Sequence, residues 1–289
     1  MRVVVPLLLV TGFGLAPVRA QEGMKPAPVI NIDIEVIKEG KTAVHEKVEA
    51  EWSATLRKAG FPANYYAFAA MSGSNQVWWI QPMPSFAANE EYEKFTAKEP
   101  LKSSLDNLDS RDGELRVSSR QMWAVFRPDL SYKPESCNLA KTRFVDLATY
   151  RIKLGKDDDL VNGAKVIFDA YRKSNVDMCL LSYEVTAGAP TGTFLFANLM
   201  DSMKFLDAEP EREKAMKAGM PESTYQQLMK GTGDVFVSME DNLFEVKPGM
   251  SLPSQAVIDA DPAFWKPKAA AKPEKAPASI PGPPEKKGQ

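Results

Sequence analysis

The chain has 289 residues, with 36 Lys and Arg, 38 Asp and Glu, and one His, for a net charge of −2. It lacks the basic excess with which nucleic-acid-binding proteins neutralise phosphates, so nucleic acid is not expected as a partner. Two cysteines and a single histidine exclude a clustered Cys/His metal centre. No stretch beyond the N-terminal segment approaches the ~20 apolar residues of a transmembrane helix.

Residues 1–20 read as a secretory signal peptide. Arg2 supplies the positive start, "VVVPLLLVTGFGLA" the apolar run, and "VRA" the small residues of a cleavage site. The mature protein is therefore expected to be periplasmic or secreted. At the other end, residues 266–289 carry six prolines, six lysines and no aromatic residue. Such a segment buries too little apolar surface to offset chain entropy and reads as a disordered tail. The tail either solubilises the chain or touches an acidic envelope surface. What lies between is the acidic, foldable part.

"VINIDIEVI" alternates, with Ile30, Ile32, Ile34 and Val36 on one face and Asn31, Asp33 and Glu35 on the other. "KTAVHEKVEAEWSATLRKAG" predicts a helix with a stripe of Val44, Val48, Trp52 and Leu56, stopped by Gly60. "NYYAFAAM" and "QVWWIQPM" flank the turn composition "SGSN" and predict a hairpin. A helical region over roughly 89–108 precedes the strand "RQMWAVFRP".

The same order then recurs. "TRFVDLATYRI" predicts a strand and "DLVNGAKVIFDAYRKS" a helix. "VDMCLLSYEVT" and "TGTFLFANLM" predict a hairpin, Pro210 and Pro221 break a helical region, and "DVFVSMEDNLFEVKP" closes the half. "EVIKEGK" at Glu35 is echoed by "YRIKLGK" at Tyr150, and "VFRPDLS" at Val125 by "EVKPGMS" at Glu245. Strand–helix–strand–strand–helix–strand is the ferredoxin-like order, an antiparallel sheet with its helices on one face. Two such units bury their bare faces by packing sheet against sheet. The adjacent Trp78 and Trp79 fit this arrangement, one under the helices and one between the sheets. The predicted fold is therefore α+β, two tandem ferredoxin-like repeats forming an intrachain barrel. The first repeat spans 21–136 and the second 137–265.

On this element order and internal repeat, over about 29–132 and 140–252, the chain resembles the dimeric α+β barrel superfamily. That group includes antibiotic-biosynthesis monooxygenases, haem-degrading enzymes and NIPSNAP-type proteins. The resemblance implies a barrel made by one duplicated chain, with a further homodimer possible, and allows oxygenase activity. Haem-degrading members use an Asn, a Trp and a His together. Asn31 and Trp78 sit on suitable strands, but the second-helix position for a histidine is empty.

If the Ile face of the first strand meets the helices, the polar face points into the cavity between the sheets. Asn31, Asp33, Trp78, Asp146 and Tyr150 are then the ligand-binding candidates. Alternatively, the carboxylates sit at a solvated barrel mouth. His45 is expected on the outer helix layer, partly exposed. No catalytic residue is assigned. No nucleophile elbow, zinc-protease helix, P-loop, dinucleotide-binding glycine pattern or C-x-x-C occurs. No metal and no cofactor is expected. "KDDDL" reads as a helix start rather than a calcium loop. Cys137 and Cys179 are either a disulfide or two buried thiols. The leading reading is an exported protein that binds a small, partly apolar molecule. The alternatives are a cofactor-independent monooxygenase and an envelope-interaction protein using its tail.

Overall fold

The alternating stretch "VINIDIEVI" forms β1 (Val29–Ile37) in a computed structural model that describes residues 25–266. The expected signal peptide, and the tail beyond Lys266, lie outside the described residues. α1 (Thr42–Ala59) ends at Gly60, whose φ of 73° is the left-handed conformation glycine adopts without steric cost. β2 (Tyr66–Ala70) and β3 (Gln76–Met83) pair as a hairpin. The helical region that follows is divided. α2 (Ala88–Thr96) and α3 (Leu101–Gly113) flank Pro100, which cannot donate a helical hydrogen bond. β4 (Arg116–Phe126) completes the half.

The second half contains β5 (Phe144–Ile152), α4 (Asp157–Lys173), β6 (Leu181–Ala187) and β7 (Thr193–Met200). α5 (Lys204–Asp207), α6 (Glu209–Ala218) and α7 (Glu222–Val235) follow, then β8 (Phe236–Val246). Pro210 occupies the first turn of α6 and Pro221 immediately precedes α7. Asp157, Asp158 and Asp159 form the first turn of α4, where the helix dipole favours negative charge. Two short helices, α8 (Gln255–Ala260) and α9 (Pro262–Trp265), end the described chain.

The strands close into a barrel in the order β1-β3-β2-β8-β5-β7-β6-β4. Each repeat contributes four strands in ferredoxin-like order. The repeats meet through two equivalent antiparallel seams, β2 with β8 and β4 with β6. Every strand thus has one face toward the enclosed interior and one toward the outer helices.

The interior takes Ile30, Ile32 and Ile34 together with Phe68, Trp78, Met122, Val145, Leu147, Leu195 and Phe244. This corrects the expected assignment of faces, because the isoleucines pack inside the barrel rather than against helices. A closed barrel surrounds its interior on every side, so the most apolar face of each strand belongs there. The polar face of β1 turns outward, under α1 and α3. The tryptophan pair divides as expected: Trp78 lies in the interior, and Trp79 packs with Val48, Leu56, Leu105 and Leu108 in the helix layer. Trp265 seals one end of the interior, where its indole nitrogen donates to the Ala140 carbonyl at 2.8 Å.

Cys137, in the connector between repeats, is bonded to Cys179, just ahead of β6, with Cα atoms 5.3 Å apart. Protein unfolded without reductant should therefore show no titratable thiol. Reduction should lower stability by about 4 kcal/mol in the loop-entropy account for a loop of this length, measured by denaturant titration with and without reductant.

Candidate functional site

The cavity inside the barrel is small, about 290 Å³, and lined largely by apolar groups such as Ile30, Phe68, Trp78, Leu147 and Leu195. Of the five ligand candidates only Trp78 borders it. Asp33 lines a different pocket, between the outside of the first repeat's sheet and its helices. Asn31 sits on that same outer face of β1 and is buried. Asp146 and Tyr150 line the corresponding pocket of the second repeat. The five are therefore not brought together. Antiparallel pairing gives the reason: Trp78 stands opposite Ile34 and Trp79 opposite Asp33, and directly paired residues share a face. Trp78 could not join the Asn31–Asp33 face.

The first repeat's pocket encloses about 850 Å³. Its floor is the outer face of β1, β3 and β4, with Asp33, Glu35, Trp79, Gln81 and Gln121, and Tyr65 just ahead of β2. Its walls are α1, through Glu49, Trp52 and Leu56, and α3, through Leu105, Asp109 and Asp112. Arg116 enters from the start of β4. The buried stripe of α1 is His45, Val48, Glu49, Ser53 and Leu56. Val44, expected on that stripe, is 48% exposed. The stripe is rotated so that a histidine and a glutamate one turn apart face the sheet.

His45 is fully buried, not partly exposed. Its Nε2 lies 3.1 Å from Glu35 Oε2 and 3.4 Å from Asp112 Oδ1. Arg116 Nη1 donates to the other Glu35 oxygen at 2.5 Å. Arg116 Nε stands 3.0 Å from Asp112 Oδ2. The two Asp112 contacts are ion-pair distances without hydrogen-bond alignment, and both its oxygens lack a hydrogen-bond partner. Glu49, 7% exposed, takes part in no side-chain hydrogen bond or ion pair among the described residues. Sequence patterning counts such residues as the polar side of a helix. The available signal was the spacing of His45 and Glu49 beside an acidic strand face.

Burial, reinforced by the Glu35 charge, pushes the Asp112 carboxyl up to about 6, against the pull of His45 and Arg116. Burial, with Glu35 and Asp112 nearby, holds Glu49 well above the usual carboxylate range. Burial also raises Asp33 and Tyr65. Four further buried polar atoms on pocket-lining or adjoining residues have no partner: Tyr65 Oη, Trp79 Nε1, Gln81 Nε2 and His45 Nδ1. A buried group left without a hydrogen bond costs about 1–3 kcal/mol.

The second repeat supplies a comparison within the chain. α1 and α4 begin at equivalent positions after β1 and β5, so Tyr150, Leu160 and Ala164 stand where Glu35, His45 and Glu49 stand. Arg116 pairs with Ile37 as Phe236 pairs with Ile152, which places Thr232 at the position of Asp112. There Leu160 joins Ile152 and Phe194 in an apolar cluster flanked by Ala164 and Phe236, and Tyr150, Leu160, Ala164 and Thr232 border a pocket of about 800 Å³. The fold itself does not require the charges.

No protein-family model matches the sequence, and no curated protein matches it. Solved structures do match in shape. An anthrone oxidase-like protein aligns at a TM-score of 0.51 and 12% identity, over 78% of this chain and 93% of that one. A putative monooxygenase from Lactobacillus acidophilus aligns at 0.46 and 10%, over 76% and 94%. A mutant chlorite dismutase from Candidatus Nitrospira defluvii aligns at 0.49 and 7%, over 78% and 94%. The chain has the dimeric α+β barrel fold. A haem, which some proteins of this fold take, does not suit these residues. The single histidine is held by carboxylates at its Nε2, and the acidic wall would repel haem propionates.

A carboxyl with a raised folded pKa binds its proton more tightly in the folded than in the unfolded chain. Its burial carries no pH-dependent cost below the ordinary pKa and costs progressively more as pH rises through the folded pKa. For Asp112 the loss develops between 3.8 and about 6, and for Glu49 it starts near 4.5 and extends upward. Glu49→Gln should therefore stabilise the protein, by on the order of 1–3 kcal/mol at pH 8 and far less at pH 4.5. Denaturant midpoints of both proteins across this range, in EDTA-containing buffer, check it.

Proposed function

We propose that the protein binds a small organic molecule in the helix–sheet pocket of its first repeat. The observation that carries this reading is the row of buried, unpartnered polar atoms on Tyr65, Trp79, Gln81 and Asp112, set among Trp52, Leu56 and Phe61. Apolar walls with a few convergent polar groups describe a ligand site. The ligand class that fits is a partly aromatic molecule offering both acceptors, to Trp79 and Gln81, and a donor, to Asp112. The barrel interior is a poorer candidate, because its cavity is one-third the size and carries few polar groups. We infer further that the protein is exported, from the apolar segment at residues 1–20 and the Cys137–Cys179 bond. Recovery of the mature chain from the periplasm or medium tests that inference.

The test of binding is a screen of phenolic and quinone-like compounds by Trp fluorescence and calorimetry. Gln81→Leu and Trp79→Phe, each removing one hydrogen-bonding group, should weaken a hit about 5–10-fold. Leu147→Ala, which lines the barrel cavity and not the helix–sheet pocket, should leave affinity unchanged. If Leu147→Ala weakens binding and the other two do not, the ligand lies in the barrel.

A second reading, a cofactor-independent monooxygenase, is supported by Glu49 and Asp112. Both are carboxyl groups on the pocket wall, Asp112 with neither oxygen hydrogen-bonded, placed to accept a phenolic proton when ionised. Oxygen consumption with hydroquinone or anthrone substrates should then occur, and should fall at least ~100-fold in Glu49→Gln. Binding without oxygen uptake leaves the first reading alone.

A further inference from the structure

We propose that Glu35, His45, Glu49 and Asp112 form a binding site for one divalent first-row metal ion of the Mn²⁺ or Zn²⁺ type. One donor atom from each residue lies within 4.8 Å of all the others, and all four side chains are largely or fully buried. Donors of a tetrahedral ion bound at about 2.1 Å stand about 3.4 Å apart, and opposite donors of an octahedral one about 4.2 Å, so closing the site needs side-chain shifts of roughly 0.5–1.5 Å at the widest pair.

Three features distinguish this cluster from a chance meeting of acids. The first is charge. Three carboxyl groups converge with Arg116, which Asp109 also engages, so the buried wall holds more acidic groups than fixed cations. A divalent cation cancels that excess, and buried charges persist where they are paired or bind metal. The second is the orientation of the lone pairs. Arg116 holds one oxygen of Glu35 and approaches one oxygen of Asp112, and the other oxygen of each faces His45 Nε2. An outer cation that orients inner carboxylates is the usual second layer of a metal site. Meanwhile Glu49 and Asp112, both more than nine-tenths buried, have no hydrogen-bond partner of their own among the described residues.

The third is the duplication. At the same positions the second repeat places Tyr150, Leu160, Ala164 and Thr232, none of them a charged group, along its own pocket. Replacing a buried ionic cluster by apolar packing is often neutral or stabilising. The second repeat carries no charged group at these positions, whereas the first holds four ligating groups. A mixed imidazole–carboxylate set suits Mn²⁺, Fe²⁺ or Zn²⁺ better than Ca²⁺ or Mg²⁺, which take oxygen donors only. This site does not depend on the organic ligand proposed above, since the ion can bind to the empty pocket.

The test uses the mature full chain stripped with a chelator and then titrated with Mn²⁺ or Zn²⁺, followed by calorimetry and Mn²⁺ electron paramagnetic resonance. One equivalent should bind, and the thermal midpoint should rise with ion concentration. His45→Ala and Glu49→Gln should each weaken binding at least ~10-fold. Glu49→Gln guards against misfolding as an explanation, because it should stabilise the stripped protein while losing the metal response. Leu160→Ala, in the second repeat, should bind like the parent. Absence of saturable binding at about 1 mM of either ion, or unchanged affinity in Glu49→Gln, overturns the proposal.

Discussion

Closure of the sheet is the constraint from which the remaining structure follows. Two seams, β2 with β8 and β4 with β6, turn two open sheets into one ring and give each strand an inside and an outside. The inside is dry and cannot satisfy charges, so it takes Ile30, Ile32, Ile34, Trp78, Val145 and Leu147. Everything polar on the first strands must then lie outside, beneath the helices. Two helices cannot cover a four-stranded face completely. Pockets therefore arise there, one in each repeat, and the chemistry-bearing side chains gather in the first.

The architecture was legible for a physical reason. Strand alternation, helical stripes and turn residues are local, and the repeat made the two halves corroborate one another. The tryptophan pair gave the two-sided strand directly. What could not be read was which face of β1 looked inward. Alternation is symmetric under exchange of faces, so choosing one needs a pairing partner. The pairing of Ile34 with Trp78 supplies that choice, and the sequence does not state it. Placing Asp33 and Glu35 inside leaves His45 without a visible partner and predicts it on the surface, whereas Glu35 and Asp112 are its neighbours. Asp112 comes from a third element, well separated along the chain, and no local pattern links it to the other two.

The two repeats show what duplication permits. Their strands, hairpins and first helices correspond position by position, yet one helix–sheet interface is a layer of Ile152, Leu160 and Phe194 and the other holds His45 among carboxylates. Buried charge is costly, and a single-copy domain carries that cost alone. Here the shared barrel interior and the apolar contacts of both helix layers supply stability, while the first repeat also retains buried ionisable groups that serve no packing purpose. The Cys137–Cys179 bond fastens the connector between the halves to the second one.

The seal at the end of the barrel has a consequence for the order of folding. Trp265, in the last described helix, closes the interior against Tyr66 and the Ala140 carbonyl, and β8, needed for one seam, comes late in the chain. No N-terminal portion of this protein owns a closed ring. Partial chains expose both the bare interior face of the first sheet and the unpaired edges of β2 and β4. Contacts that span most of the sequence form slowly, because their loop entropy is lost before they gain anything. A chain that ends before β8 therefore leaves β2 without its partner, and that edge is covered only when β8 pairs with it.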